Sequence, residues 1–203
     1  MIKSRALVFF MISLLSALLI SSGCSSNKQP AQESSSFEGD LGQLLEKTSK
    51  DGAFIFEGLP WLVAKQEIIG QQKEDAIQSE ETDRILVEGG LSLDTKVKQT
   101  VIYNFQDDQL VSGEYLFITS DDQYFAEMGK ELKALFTEGF SEPLTMNLAV
   151  LDQADASSRQ EEHIIWEGSD RSSLRLNLLT TEQGDFLLQI HVTSPQPERE
   201  ELQ

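Results

Sequence analysis

The chain has 203 residues and a formal net charge of −18 at neutral pH, with 39% hydrophobic and 25% charged residues. This composition is typical of a globular protein and excludes a disordered or fibrous one. The acidity argues against a nucleic-acid partner, because binding to phosphates requires a basic surface. The single cysteine excludes a disulfide framework and a cysteine-rich zinc site, and two histidines leave little for a histidine metal cluster. We therefore expect neither a metal nor a cofactor.

Residues 1–23 are predicted to be an export signal. Lys3 and Arg5 precede an uncharged apolar run over 6–20. That run is shorter than the about 20 residues that a membrane-spanning helix needs, and its basic flank is typical of a signal peptide. Small residues and the only cysteine of the chain follow the run: Ser21, Ser22, Gly23 and Cys24.

The segment from Ser22 to Cys24 resembles the lipobox of bacterial lipoproteins, usually Leu-Ala/Ser-Gly/Ala-Cys, with Ser21 in the place of the usual apolar residue. The resemblance implies a diacylglycerol on the Cys24 sulfur and a further acyl chain such as palmitate. Two or more chains hold a protein stably on a membrane, at about 0.8 kcal/mol per buried CH₂. We expect a location on the extracytoplasmic side of the cell membrane or outer membrane. The alternatives are a secreted protein with an incidental cysteine and a retained membrane helix.

The rest of the chain is predicted to be one domain between two polar segments. Residues 24–36 are rich in Ser and Gln, which favours a flexible tether. Residues 195–203 form a polar, proline-bearing tail that is expected to be disordered. Residues 37–194 remain, and this length is common for a single domain.

Three helices are predicted in this domain. The first covers 40–50, and the second covers 62–72 after a proline. The third and longest starts at 120–122 and runs to Glu138, with Gly139 as its stop. Its apolar stripe suits a helix that covers a sheet; the stripe consists of Tyr124, Phe125, Met128, Leu132, Leu135 and Phe136.

Alternation of apolar and polar residues predicts the strands. The alternating segments are 85–93, 97–105, 110–119, 163–167, 174–180 and 186–193. The first three are expected to form an antiparallel meander, and the polar segment 71–83 is expected to be a loop or a helix extension. We find no internal repeat. The predicted fold class is α+β, with an antiparallel sheet of about five to six strands and two to three helices packed on one face.

Gly-Leu-Pro-Trp at 58–61 and Lys-Gln-Glu-Ile-Ile at 65–69 are similar to a motif of small bacterial envelope lipoproteins, G-x-P-W-G-S/T-S/K-x-E-E-V. Leu62 replaces the glycine of the motif, and Ala64 replaces its capping serine or threonine. The strand at 101–105, followed by an acidic turn, fits the same pattern. Over about 54–117, the chain resembles the BamE (SmpA/OmlA) and beta-lactamase-inhibitor-protein type of module. The resemblance implies binding to proteins or scaffolding of assemblies, and no enzymatic activity.

The expected function is therefore a non-enzymatic protein-binding or scaffold module of the cell envelope. Its sheet face or loops would contact another envelope protein. Trp61 and Trp166 are candidate anchors for such a partner, because tryptophan is enriched at interface centres. A position in the core is the alternative for both.

Two other functions compete with this one. A carrier of a small apolar ligand would have a cavity of several hundred Å³ between helix and sheet, lined by Phe and Leu. A hydrolase would need His163 or His191 in a cleft beside Asp, Glu or Ser. No serine lies in a Gly-x-Ser-x-Gly elbow, and lipid would block Cys24, so the usual nucleophiles are missing.

Overall fold

The computed structural model describes residues 38–91, 93, 96–140, 142–146, 162–180 and 184–195. The predicted leader at 1–23, with its Ser21, Ser22 and Gly23, lies outside the described residues. So do Cys24, the predicted tether at 24–36 and the tail from residue 196. Within the described part of the chain, no helix is both long enough and apolar enough to cross a membrane.

The described residues combine α-helices with antiparallel sheets, which confirms the α+β class. The helices are α1 (Glu38–Thr48), α2 (Lys65–Gln71) and α3 (Asp122–Gly139), with a 3-10 turn at Glu74–Ala76. A separate hairpin pairs β1 (Ser49–Lys50) with β2 (Ala53–Phe54). The strands of the large sheet are β3 (Ile77–Glu80), β4 (Arg84–Glu88), β5 (Lys98–Gln106), β6 (Gln109–Thr119), β7 (Thr145–Met146), β8 (Glu162–Glu167), β9 (Ser173–Thr180) and β10 (Phe186–Thr193). Their order across the sheet is β3-β4-β5-β6-β10-β9-β8-β7.

The described part of the chain contributes eight strands to the large sheet, so the predicted count of five to six was wrong. Both additional strands, β3 and β7, lie at the edges of the sheet. β3 falls in the segment that was expected to be a loop or a helix extension. β7 has only two residues, which pair with Ile164 and Ile165 of β8. Short and exposed edge strands lack the regular apolar alternation from which strands are predicted.

The strand order places two four-stranded meanders side by side, each preceded by a helix. β3 to β6 follow α2, and β7 to β10 follow α3. The two meanders join along β6 and β10, which pair from Ser112 opposite Thr193 to Thr119 opposite Phe186. A helix followed by four strands thus occurs twice, and this repeat is one of topology. The sequence shows no repeat because the alternation of buried and exposed positions in a strand can be satisfied by many different residues.

Helix α3 begins within the predicted segment 120–122, with Asp121 as its N-cap. The Asp121 carboxylate accepts a hydrogen bond from the Tyr124 backbone N–H at 3.0 Å, as an N-cap should. Lys96 Nζ donates to the same carboxylate at 2.9 Å. The Lys96 bond and then the cap bond hold the pKa of Asp121 below its ordinary value. The predicted start of α3 is confirmed.

Helix α3 packs on the core face of the large sheet. The Phe125 ring stacks on Phe186 of β10 with 5.0 Å between centroids. Phe136 meets the edge of Trp166 of β8 at 5.7 Å. Gly139 lies so close to α1 that a β-carbon there would come within 2.8 Å of Leu45 Cδ2. A small residue at this position therefore lets the two helices approach each other, while the C-cap of α3 is Phe140 rather than the predicted stop Gly139.

The turn before α2 has a left-handed backbone at Leu62 and an N-cap without a side-chain hydrogen bond at Ala64. Leu62, at the glycine position, has a φ of 66° and a side chain that is 56% exposed. This left-handed region is costly for residues other than glycine. Ala64, at the serine or threonine position, is the N-cap of α2, and no side chain caps that helix. Neither Leu62 nor Ala64 is therefore the most favourable residue type for its local backbone.

Replacing each of these two residues by a more favourable type is expected to stabilise the protein. Leu62→Gly relieves a left-handed conformation that costs about 1 kcal/mol, and Ala64→Ser adds a cap worth about 1 kcal/mol. Urea unfolding should show a higher midpoint with an unchanged m value for each variant. Leu144→Gly is the control, because Leu144 is a comparably exposed leucine that is not among the residues with positive φ. Lower midpoints for both variants would contradict this geometry of the turn.

Candidate functional site

The face of the large sheet opposite the core, called here the outer face, is the first candidate site. Its side chains alternate along each strand with those of the core face. On the two central strands, β6 and β10, they are Ser112, Glu114, Leu116, Ile118, Leu187, Gln189, His191 and Thr193. All of these are half-buried. The outer face thus combines an apolar part with polar and charged groups.

A chain of hydrogen bonds crosses four strands of the outer face. Glu114 of β6 accepts from Asn104 Nδ2 of β5 at 3.0 Å and from Gln189 Nε2 of β10 at 2.5 Å. Asn177 Nδ2 of β9 donates in turn to Gln189 Oε1 at 2.7 Å. A carboxylate can only accept, so Glu114 turns the amide nitrogens of its neighbours towards itself. One negative charge therefore orients the amide groups of three other strands.

Both histidines lie on the outer face. His191 stands between Glu114 of β6 and Arg175 of β9, which are its register partners on either side. Burial is the main cause that lowers the pKa of His191, with Arg175 acting in the same direction and Glu114 against it. The ring is therefore predominantly neutral at pH 7. His163 of β8 lies opposite Asn177.

Three buried polar atoms of this group have no hydrogen-bond partner within the described ranges. They are His191 Nε2, Asn177 Oδ1 and His163 Nδ1. Asn177 is itself only 5% exposed. A buried polar group without a partner is costly, and native proteins usually pair it with protein, ligand or ordered water. The outer face thus brings together a histidine and an acid, as a hydrolase would need, but on a sheet surface and not in the cleft described next.

A cleft of about 450 Å³ forms the second candidate site, and we call it the Phe54 cleft. It lies between the β1–β2 hairpin, the C-terminal end of α3 and the turn from β8 to β9. Its lining consists of Ser49, Gly52, Ala53, Phe54, Gly139, Phe140, Leu144, Glu167, Gly168 and Ser169. The expected cavity between helix and sheet had a similar size and lining by Phe and Leu. The observed cleft lies instead beyond the end of α3.

Backbone contacts hold the walls of the Phe54 cleft together. The Phe54 N–H donates to Ser172 Oγ at 2.7 Å, and the Ser169 N–H donates to Gly52 O at 2.8 Å. The Phe54 ring packs edge-on against Phe140, with 4.8 Å between centroids. Phe140 in turn lies 6.2 Å from the buried Trp166 ring. Hydrogen bonds therefore connect the β1–β2 hairpin to the β8–β9 turn, and the phenylalanines of the cleft pack against the aromatic core.

A group of buried tyrosines lies elsewhere on the core face. Tyr103 and Tyr115 flank the Phe56 ring, and burial, followed by the nearby Glu57 carboxylate, raises the pKa of both hydroxyls. Glu57 pairs with Lys47 at 3.0 Å. Both tyrosines are thus neutral at pH 7, and the group stabilises the core.

The structure separates the two tryptophans that were candidate anchors. Trp166 is 0% exposed and packs against Phe136 and Phe140, so its side chain offers no surface to a partner. The expectation that Trp166 anchors a partner is therefore corrected, because the apolar stripe of α3 covers this part of β8. Trp61 is half-buried, and its Nε1 donates to Phe54 O at 2.8 Å. Only Trp61 therefore remains a candidate contact.

Sequence reasoning did not find the hydrogen-bonded group around Glu114. Alternation indicates that Gln189 and His191 share a face, but Glu114 is 75 residues away from Gln189 in the chain. Their meeting depends on β10 lying next to β6. Among the residues that the structure describes, no group of three or more His, Cys, Asp or Glu side chains is placed to hold a metal. Comparisons with protein-family models, curated proteins and solved structures gave no match to this chain.

Proposed function

We propose that this chain is an exported, lipid-anchored protein of the cell envelope that binds or scaffolds another protein and is not an enzyme. The observation that carries the proposal is the position of Cys24, the only cysteine, at the end of a basic and apolar leader. The acyl chains would hold the protein on the extracytoplasmic side of the cell membrane or outer membrane. The protein part would contact an envelope protein.

The outer face supports the binding half of this proposal. Leu116, Ile118 and Leu187 form an apolar part beside the polar group around Glu114. Protein interfaces combine an apolar centre with polar groups that need hydrogen-bond partners. Glu114 and Gln189, which are half-buried, are polar groups of this face. A partner at this face would bury Leu116, Ile118 and Leu187 beside them.

A relationship to the BamE and beta-lactamase-inhibitor-protein type of module is part of the same proposal. The turn before α2 supports it, because Leu62 has a left-handed backbone at the glycine position of the motif and Ala64 is the N-cap at the serine or threonine position. Proteins of this type bind other proteins, although a shared fold does not identify a partner.

A carrier of a small apolar ligand is the second candidate function. The Phe54 cleft favours it, because its volume of about 450 Å³ lies in the range of small-molecule sites and its lining includes two phenylalanines and a leucine. Such a carrier would still be lipid-anchored, so the anchoring experiment does not distinguish the two functions.

Metabolic labelling with palmitate tests the anchor. We expect the protein to carry the label and to sediment with membranes, and we expect Cys24→Ala to lose both properties. The reason is that the thioether and the new amino terminus both belong to Cys24. Intact mass spectrometry of the native protein should show a diacylglycerol addition and no leader. A free thiol on Cys24, or label that survives Cys24→Ala, would overturn the anchor.

Crosslinking in intact cells tests the binding half. Leu116→Arg places a charge in the apolar part of the outer face and should abolish recovery of a partner that the parent protein captures. Gln123→Arg is the matched control, because it makes the same charge change at an exposed position of α3. Circular dichroism must show that both variants are folded. Equal recovery by the parent protein and Leu116→Arg would reject the outer face as the contact surface.

A further inference from the structure

The Phe54 cleft has an apolar interior that continues onto the molecular surface. Phe54 and Phe140 line it, and Leu144 at its rim is 63% exposed. Met146, two residues further on in edge strand β7, is 51% exposed. A small enclosed ligand would leave both rim side chains in water. An extended segment of another chain would cover them together with the cleft.

Glu167 lines the Phe54 cleft, and the exposed charged residues next to the lining in the chain are predominantly acidic. Glu167 is exposed, and the other lining residues of the cleft carry no charge. The exposed charged residues within two positions of the lining are Asp51, Glu138, Glu142 and Asp170 against Lys50 and Arg171. Lys47 is also near in sequence, but it pairs with Glu57. An acidic surface of this kind attracts cations and repels anionic lipid or acidic chains.

We propose that the Phe54 cleft binds a basic peptide segment of a partner protein, with an apolar side chain inside the cleft and a flanking Lys or Arg at Glu167. The apolar side chain would pack on Phe54 and Phe140, while the segment would cover Leu144. This inference rests on the proposed function as a protein-binding module and adds a site distinct from the outer face. It also specifies the partner chemistry that this site would recognise.

A titration of the purified full-length protein with synthetic peptides tests the site. The probe is acetyl-Lys-Phe-Lys-Leu-Lys-amide, and the comparison peptides replace every lysine by glutamate or by serine. Calorimetry measures affinity, and tryptophan emission reports occupancy because Phe140 lies 6.2 Å from Trp166. We expect the lysine peptide to bind, the serine peptide to bind more weakly and the glutamate peptide not to bind. Added salt should weaken the binding of the lysine peptide.

Matched variants locate the binding. Glu167→Lys should weaken the lysine peptide by about fivefold, because an attraction becomes a repulsion. Glu88→Lys makes the same charge change at the exposed end of β4 and should leave the affinity almost unchanged. Ala53→Phe fills the cleft from β2 and should abolish binding in a protein whose circular dichroism is unchanged.

The outcomes separate this inference from the proposed function. Equal weakening by Glu167→Lys and Glu88→Lys would show general attraction to an acidic protein and would overturn the site. So would undiminished binding to Ala53→Phe. Equal affinity for the serine and lysine peptides would favour the apolar-ligand carrier and overturn a basic partner. Failure of the peptide experiment, together with loss of partner recovery in Leu116→Arg, would remove the cleft site and leave the outer face standing.

Discussion

Replacing Gly113 with alanine is expected to lower the free energy of unfolding by about 3 kcal/mol, at the upper end of the usual cost of overpacking a core. A β-carbon at Gly113 would lie 2.1–2.3 Å from three carbon atoms of the Phe56 ring. Phe56 is fully buried, and its ring lies between Tyr103 and Tyr115, with centroid distances of 5.2 and 4.9 Å. The ring therefore has no room to move away from β6.

Two further variants make this prediction specific. Gly90→Ala is the control, because a β-carbon at Gly90 would meet no atom within 4 Å, and it should leave the urea midpoint nearly unchanged. Phe56→Ala alone should cost about 3–5 kcal/mol by leaving a cavity. Since the clash needs both partners, the double variant should cost no more than Phe56→Ala alone. Additive losses in the double variant would refute the close contact of Phe56 with β6.

Trp166→Ala is expected to lower the free energy of unfolding by about 3–5 kcal/mol, as for other buried tryptophans. Trp166 is fully buried and packs edge-on against Phe136 and Phe140. Removing the indole would leave a cavity between α3 and β8. Urea unfolding at neutral pH measures the change, and thermal unfolding should show the same order of variants.

Trp166→Phe separates packing from hydrogen bonding at this position. The Trp166 Nε1 has no hydrogen-bond partner among the described residues, so phenylalanine removes no bond. We expect a loss of about 1 kcal/mol, from the smaller volume alone. Trp61→Ala should cost about 1–2 kcal/mol, because Trp61 is only half-buried and gives up its bond to Phe54 O. Equal losses in Trp61→Ala and Trp166→Ala would contradict the different burial of the two tryptophans.

Local signals accounted for the parts of the fold that were predicted well. Asp121 and the apolar stripe of α3 act within one helix, where capping and a 3.6-residue period are visible in the sequence. The meander of β4, β5 and β6 was predicted for the same reason, since its strands are consecutive and alternate clearly. The edge strands β3 and β7 were missed because they exist through pairing with a neighbour and carry little pattern of their own.

The candidate sites were less accessible to sequence reasoning than the fold. Glu114 and Gln189 bond across strands that are adjacent in space and distant in the chain. The Phe54 cleft draws its walls from three separate stretches of the chain, which include Phe54, Phe140 and Glu167. No periodicity links such positions. The two tryptophans also differ in burial, because Trp166 lies beneath α3 and Trp61 does not.

The amino-acid sequence by itself determined the α+β class, the start of α3, the order of its main strands along the chain and the position of Cys24 behind an apolar run. These features depend on hydrophobic periodicity, capping and composition, which act between neighbours in the chain. Only the tertiary structure decided that β10 pairs with β6, that the histidines share a face with Glu114, and that Glu167 lines a cleft together with Phe54 and Phe140. Those features arise when the burial of apolar surface brings distant segments together, and that choice belongs to the whole domain.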